Sequence, residues 1–134
     1  MHNNEPTWLS LIEIVAIHEQ LLFLHGGSSG IRERALLESA VDRPKNVWAY
    51  EKSDLCTLAA AYAHGIVNNH PFVDGDKRTG FVAAILFIES NGLEFFAPEE
   101  QAVYMTVGLA DKSIDASAYA LWLKENSRPA SIEK

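Results

Sequence analysis

The stretch His70-Pro-Phe-Val-Asp-Gly-Asp-Lys-Arg-Thr79 lies between the two most apolar segments of the chain, residues 55–68 and 81–88. Drawn as helices, both segments are apolar on nearly every face, and such helices must be enclosed by other elements. We therefore predict two central helices joined by this polar connection. A tight connection inside a core does not require a histidine, two acids and two bases, so we expect these residues to have a function.

The segments before the central pair also carry helix signals. Apolar residues recur at helical spacing and predict a first helix over about residues 10–25, ended by the glycines that follow. A second, shorter helix is expected over residues 31–41, because Pro44 disfavours a helical conformation in the residue before it. Residues 44–52 carry two aromatic side chains without a helical stripe, so we expect a loop or short hairpin near the surface there, followed by Ser53 as an N-cap.

After the central pair, the sequence predicts two further helices. Asn91-Gly92 ends the second central helix, and an extended piece is expected over residues 93–96. Pro98 begins a helix, and a final one runs over about residues 115–125. Because no convincing series of alternating strands occurs, we predict an all-α bundle of about six helices around the two central ones.

Length and composition fit one domain, residues 1–134, whose ends at about residues 1–5 and 127–134 are expected to be flexible. The single cysteine, Cys56, lies in an apolar run and is expected to be a buried thiol, which suits a reducing compartment. No segment has the pattern of a signal peptide or a membrane-spanning helix. We therefore expect a cytoplasmic protein without a membrane partner.

The net charge of the chain and the turn after Asp74 indicate which kind of phosphate-bearing ligand the protein could bind. The formal net charge of −7 argues against direct binding of nucleic acid, which requires an electropositive face. Gly75 permits a backbone turn closed to other residues, and the amides of about residues 75–79 open the next helix without intrahelical partners. Such a helix start binds anions, and the adjacent Lys77 and Arg78 add positive charge. This pattern favours one phosphate-bearing small molecule over a duplex.

Two side chains next to this turn suit chemistry on a phosphate. Asp74 offers a hard oxygen ligand for Mg²⁺, which usually takes one or two carboxylates together with the phosphates of a substrate. An imidazole has an unperturbed pKa of about 6.5, so His70 could act as a general base towards a hydroxyl.

These residues resemble the motif of the Fic/Doc superfamily, His-x-Phe-x-(Asp/Glu)-(Gly/Ala)-Asn-(Gly/Lys)-Arg, which precedes a central helix. The resemblance extends over about residues 15–125, through strings such as Leu36-Leu-Glu-Ser-Ala40 and Leu58-Ala-Ala-Ala-Tyr62. It implies the all-α Fic/Doc fold.

The resemblance also implies roles for individual residues. His70 would be the catalytic base that deprotonates a protein hydroxyl, Phe72 would anchor the connection, and Asp74 would bind Mg²⁺. The phosphate-binding turn would comprise Gly75, Asp76, Lys77, Arg78 and Thr79. In Fic-like proteins a flap aligns the target, and the corresponding region here contains Lys45, Trp48 and Tyr50.

Two sequence positions distinguish the Fic branch of the superfamily from the Doc branch. Fic proteins, which transfer AMP, have glycine where this chain has Lys77 and a second arginine where it has Phe81. The Doc (death-on-curing) toxins have lysine at the first position and bind ATP reversed, so that the γ-phosphate is transferred. The resemblance to Doc thus implies a kinase toxin that uses ATP and Mg²⁺. It would phosphorylate a Ser or Thr of a translation factor such as elongation factor Tu, arrest translation, and be neutralised by a cognate antitoxin.

Asp76 departs from this pattern, because the motif has asparagine at its position. An asparagine amide can donate to a phosphate oxygen, whereas an ionised aspartate only accepts and repels it. Asp76 could instead add a second carboxylate to a metal ion. Three functions therefore stay open: Doc-type transfer of a phosphoryl group, Fic-type transfer of AMP, and a catalytically inert module that still binds a partner.

Overall fold

Helices dominate the computed structural model, which describes residues 4–131; the outer parts of the two expected flexible ends, residues 1–3 and 132–134, lie outside this range. In chain order the elements are α1 (Leu11–His25), α2 (Arg34–Glu51), α3 (Leu55–Asn69), α4 (Asp76–Ser90), β1 (Leu93–Phe95), α5 (Glu99–Asp111), α6 (Ala116–Glu125) and β2 (Ser127–Pro129). The prediction of an all-α fold is confirmed. Within the described residues, no helix combines the length and the apolar character needed to cross a membrane.

The central pair consists of α3 and α4, as predicted. Ten residues of α3 are buried. α4 comes so close to α3 at Gly80 that an added Cβ atom would lie 2.8 Å from Val67 Cγ2 and 3.2 Å from the Ala63 carbonyl oxygen. On another side of α3, a Cβ atom at Gly65 would lie 3.1 Å from Ala40 Cα in α2. These close approaches fix the end of α3 and the start of α4, and thereby the position of the connection between them.

α3 begins at Leu55, where the apolar segment begins, but its N-cap lies one residue later than predicted. Asp54, not Ser53, is the N-cap, because its carboxylate accepts a hydrogen bond of 2.8 Å from the Thr57 amide. Cys56, in the first turn, is buried, as expected for a core thiol.

The largest correction concerns α2, which runs through Pro44 to Glu51. The predictions of a helix end near residue 41 and of a loop or hairpin over residues 44–52 are therefore wrong. Proline in a helix interior costs about 3 kcal/mol, because it removes a hydrogen bond and crowds the preceding turn. The Pro44 ring is nevertheless buried, on the face of α2 that also buries Leu37, Ala40 and Val41. Burial of this face against α3 offsets the local cost, so the helix continues.

The structure also contains two short strands, one after α4 and one after α6. β1 and β2 pair antiparallel, with Glu94 opposite Arg128. The Arg128 guanidinium lies 3.0 Å from a Glu94 carboxylate oxygen and 4.7 Å from the centre of the Phe96 ring. Ser127–Pro129, at the start of the C-terminal end that was expected to be flexible, thus form a paired strand.

Candidate active site

The connection between α3 and α4 is bounded by two residues in the left-handed conformation. His70 ends α3 with φ 52° and ψ 55°, and Gly75 precedes α4 with φ 86° and ψ 15°. A left-handed backbone is unfavourable for a residue with a side chain, and such residues cluster at functional sites. The chain thereby reverses within a few residues and presents the His70 side chain beside the first turn of α4.

A segment before α2 holds the connection from one side. Ile31 forms an isolated antiparallel bridge with Phe72. The Arg32 amide donates to the Pro71 carbonyl oxygen at 2.7 Å. The Arg32 guanidinium donates to the carbonyl oxygens of His70 at 2.7 Å and of Asn69 at 3.0 Å, the last carbonyls of α3. Arg32 therefore caps the end of α3, a role that no pattern in the sequence indicated.

The buried side chains of His18 and Phe72 support the connection from the core side. Both side chains are buried, and their rings stack with centroids 3.7 Å apart and an interplanar angle of 7°. His18 Nε2 lies 2.7 Å from the Asp74 carbonyl oxygen, which can only accept, so Nε2 donates. Phe72 is thus anchored in the core, and His18 is a partner that sequence reasoning missed. Its one signal was the position four residues after Ile14 on the same face of α1.

Asp74 is exposed, and backbone amides orient its carboxylate. The Ser28 amide donates to Oδ2 at 3.2 Å and the Gly75 amide donates to Oδ1 at 2.9 Å. Gly27 allows this approach, because an added Cβ atom there would lie 3.0 Å from Asp74 Oδ2. Each carboxylate oxygen accepts one of these bonds and can accept another.

The carboxylate of Asp74 has the chemistry of a Mg²⁺ ligand. No group of three or more His, Cys, Asp or Glu side chains in residues 4–131 has the geometry of a metal site. Mg²⁺ does not require one, because it commonly binds one or two carboxylates and takes its remaining ligands from substrate phosphates and water. Asp74, exposed and held by two amides, can supply that single protein ligand.

The first turn of α4 presents unpaired amides. Within residues 4–131 no side chain caps this helix start, and the first helical hydrogen bond runs from the Thr79 amide to the Gly75 carbonyl oxygen at 3.0 Å. The amides of residues 76–78 precede that bond and are free for an anion. Lys77 and Arg78 are exposed beside them. Thr79, in contrast, is fully buried, so its hydroxyl does not reach the mouth of the turn.

Asp76 faces back into the connection instead of outward. Its Oδ1 accepts a hydrogen bond of 3.0 Å from the Phe72 amide, and its Oδ2 lies 3.4 Å from His70 Nδ1. The Asp76 side chain is 10% exposed and that of His70 is 61% exposed. Burial raises the pKa of the Asp76 carboxyl, while the Phe72 amide and His70 act in the opposite direction. The carboxylate therefore does not point at the free amides of the turn.

The three residues assigned to a flap lie on α2, outside the connection itself. Trp48 is half-buried, with its ring centre 6.1 Å from that of Trp8, and Tyr50 is 88% exposed. Asn69, next to His70, bonds to the carbonyl oxygen of Leu36, and Trp48 lies about 18 Å further along α2 at about 1.5 Å per residue. The structure thus brings His70, Asp74 and residues 76–78 together. Of the three flap residues, Tyr50 lines an open pocket together with Asn69, the neighbour of His70, whereas Lys45 and Trp48 do not line it.

Comparison with known proteins shows the family of this chain. The model of the Fic/DOC family matches residues 8–88. The chain is 33% identical over 109 residues to "Protein kinase doc" of Escherichia phage P1, covering 81% of this chain and 86% of that protein. It is 40% identical over 76 residues to "Toxin Doc" of Mycolicibacterium smegmatis, covering 54% of this chain and 57% of that protein. The family model matches more than half of this chain, and the phage protein is 33% identical to it over 81% of its length. The chain therefore belongs to the Fic/DOC family.

Proposed function

We propose that this protein is a Doc-like toxin that transfers the γ-phosphate of ATP to a Ser or Thr hydroxyl of a target protein. The observation that carries the proposal is the juxtaposition of an exposed histidine with three free amides at one helix start. A base for the acceptor hydroxyl and a cradle for phosphate thus lie within one connection. The similarity to a phage protein named as a kinase favours phosphoryl transfer over other reactions of a phosphate cosubstrate.

In the proposed reaction, different residues of the connection have different roles. The amides of residues 76–78, with Lys77 and Arg78, hold the phosphates and neutralise the charge that spreads over them in the transition state. Asp74 would hold Mg²⁺, whose charge stabilises the leaving phosphates. His70 accepts the proton of the hydroxyl as the hydroxyl oxygen forms its bond to the γ-phosphorus. The bond from that phosphorus to the bridging oxygen breaks, and ADP leaves.

A toxin implies a target and an inhibitor, and both belong to the proposal. A relative of this chain is named a toxin. The proposed target is a translation factor such as elongation factor Tu, whose phosphorylation would arrest translation. The proposed inhibitor is a cognate antitoxin that covers the connection, because blocking His70 or the helix start is sufficient to stop the reaction.

One observation favours a second candidate, an inert module that only binds a partner. Asp76 adds a negative charge next to the phosphate cradle, where the family motif has an uncharged asparagine. Against this reading, the carboxylate is turned away from the free amides and bonds to the Phe72 amide. It leaves the cradle open, so catalysis remains the better supported function.

The test is transfer of label from ATP. The purified protein is incubated with Mg²⁺, a bacterial lysate and ATP radiolabelled at either the α or the γ phosphate. We expect γ label in one protein band, absent with His70→Ala and retained with His25→Ala, which removes another exposed histidine. Transfer of α label would replace the kinase by an AMP transferase, and transfer of neither label would leave the inert module as the function.

A further inference from the structure

The two oxygens of the Asp76 carboxylate have separate partners. Oδ1 accepts from the Phe72 amide at 3.0 Å, and Oδ2 faces His70 Nδ1 at 3.4 Å. The amide cannot turn away, because the Phe72 ring is buried and stacked on His18. The amide therefore fixes one edge of the carboxylate and aims the other at the histidine ring.

The chemistry of this contact assigns the proton on His70. A neutral imidazole carries one N–H and one lone pair on its two nitrogens, and the partner of one nitrogen decides which is which. A carboxylate oxygen only accepts, so the nitrogen that faces it, Nδ1, carries the hydrogen. Nε2, on the opposite edge of a largely exposed ring, then keeps the lone pair with which a base takes a proton.

An asparagine in the same place would assign the proton differently. The Phe72 amide only donates, so it would keep the side-chain oxygen of an asparagine on its own side. The NH₂ group would then face His70 Nδ1 and donate to it, which requires the lone pair on Nδ1 and the hydrogen on Nε2. In this geometry, aspartate supports a base at Nε2 and asparagine opposes it.

Among the residues that the structure describes, the other charged groups near the pair have partners other than the His70 ring or point elsewhere. Arg32 donates to the backbone oxygen of His70. His18, from α1, donates through Nε2 to the Asp74 carbonyl oxygen, and its charge acts on Asp76 in the same direction as that of His70. Lys77 and Arg78 follow on α4 with exposed side chains. Asp76 is thus the acceptor within ion-pair distance of His70 Nδ1.

We propose that Asp76 is a positioning residue that holds the His70 proton on Nδ1 and leaves Nε2 as the proton acceptor in catalysis. The last clause rests on the proposed phosphoryl transfer, and the assignment of the proton does not. The separation of 3.4 Å is long for a hydrogen bond, and such contacts shorten when the substrate closes the site. The aspartate that departs from the family motif then supports the base instead of disabling the enzyme.

The proton assignment can be measured without any activity. The full chain, labelled with ¹⁵N-histidine, is studied by NMR at a pH of about 8, above the ordinary imidazole pKa of about 6.5. The His70 signal is identified among the five histidines by its loss in His70→Gln. We expect the Nδ1–H form in the native protein and a shift towards the Nε2–H form in Asp76→Asn. The same form in both proteins would overturn the assignment, provided that the other histidine signals stay in place.

Transfer of γ label then tests the catalytic consequence with two variants. Asp76→Asn keeps an oxygen for the Phe72 amide, whereas Asp76→Ala removes it. If Asp76 only supported the backbone, the asparagine variant would match the native rate and the alanine variant would lose activity. We expect both variants to lose about tenfold or more, which is less than the roughly 10²–10⁴-fold contribution of a general base, because the base is misaligned and not removed. A native or increased rate in Asp76→Asn would refute the positioning role. If the native protein transfers no label, the proposed function fails while the NMR result still decides the proton assignment.

Discussion

Replacing Phe72 by leucine separates the anchoring of the connection from general stability. Phe72 is almost fully buried and stacks on His18, so leucine removes three carbon atoms from a packed site. At about 0.8 kcal/mol for each buried carbon group, less partial repacking, we expect a loss of about 1–2 kcal/mol in the free energy of unfolding. For 134 residues, an unfolding entropy of about 2.1 cal/mol/K per residue converts this loss into a decrease of about 4–7 °C in the melting temperature.

The matched control is Phe87→Leu. Phe87 is also fully buried, but it packs against Trp8 and Tyr62 in the body of α4. It lies about 16 Å along α4 from Asp76, at about 1.5 Å per residue. Thermal melting of both variants should give similar losses of stability, because both remove the same atoms from the core.

Transfer of γ label, measured well below both melting temperatures, should distinguish the two variants. Phe72 carries the amide that holds Asp76 and forms the stack that supports Asp74, so its loss should lower the rate by tenfold or more. Such sensitivity to small displacements is expected of a positioned catalytic group. Phe87→Leu should retain most of the rate. Equal rates in the two variants would refute the reasoning that Phe72 positions the catalytic groups.

Three further predictions concern single residues of the site. His70→Gln should abolish transfer and change the free energy of unfolding by less than about 0.5 kcal/mol, because the ring is exposed; a large drop in melting temperature would contradict a purely chemical role. Asp74→Asn should remove the Mg²⁺ dependence of ATP binding in a calorimetric titration, and binding that a chelator leaves unchanged in the native protein would argue against a metal ligand here. Burial raises the pKa of Asp76 in the folded state, so the folded protein binds the proton of this carboxyl more tightly than the unfolded protein does. The contribution of Asp76 to stability therefore falls as the pH rises from the ordinary aspartate range through the raised pKa. Urea unfolding of the native protein and Asp76→Asn should therefore diverge across that range in favour of the variant, and parallel curves would contradict the burial of the carboxylate.

The central pair of helices could be predicted from the sequence because each helix is a continuous run of mostly apolar residues. The same holds for the left-handed turn, since Gly75 signals it locally. Prediction failed where a distant partner overrode a local rule. Pro44 signals a helix end, but burial against α3 carries α2 past it. Ser127–Pro129 are polar and short, and only their pairing with β1 makes them a strand.

The site divides in the same way. His70, Asp74 and the free amides lie within nine residues, so one stretch of sequence contains the groups that would touch a substrate. The groups that hold them come from far along the chain. His18 is 56 residues from Asp74, and Arg32 is 38 residues from His70. No spacing rule links such positions, because their contact depends on how α1 and α2 pack on the central pair.

The guanidinium of Arg32 at the end of α3 also shapes the local electric field. Two helices meet at the connection with opposite poles, since the carbonyl end of α3 carries about half a negative charge and the amide end of α4 about half a positive one. Without Arg32 these poles would largely cancel for an approaching nucleotide. Arg32 binds the carbonyls of residues 69 and 70 and masks the negative pole. In a chain with a net charge of −7, this masking leaves the positive pole of α4, with Lys77 and Arg78 beside it, less opposed by the carbonyl end of α3.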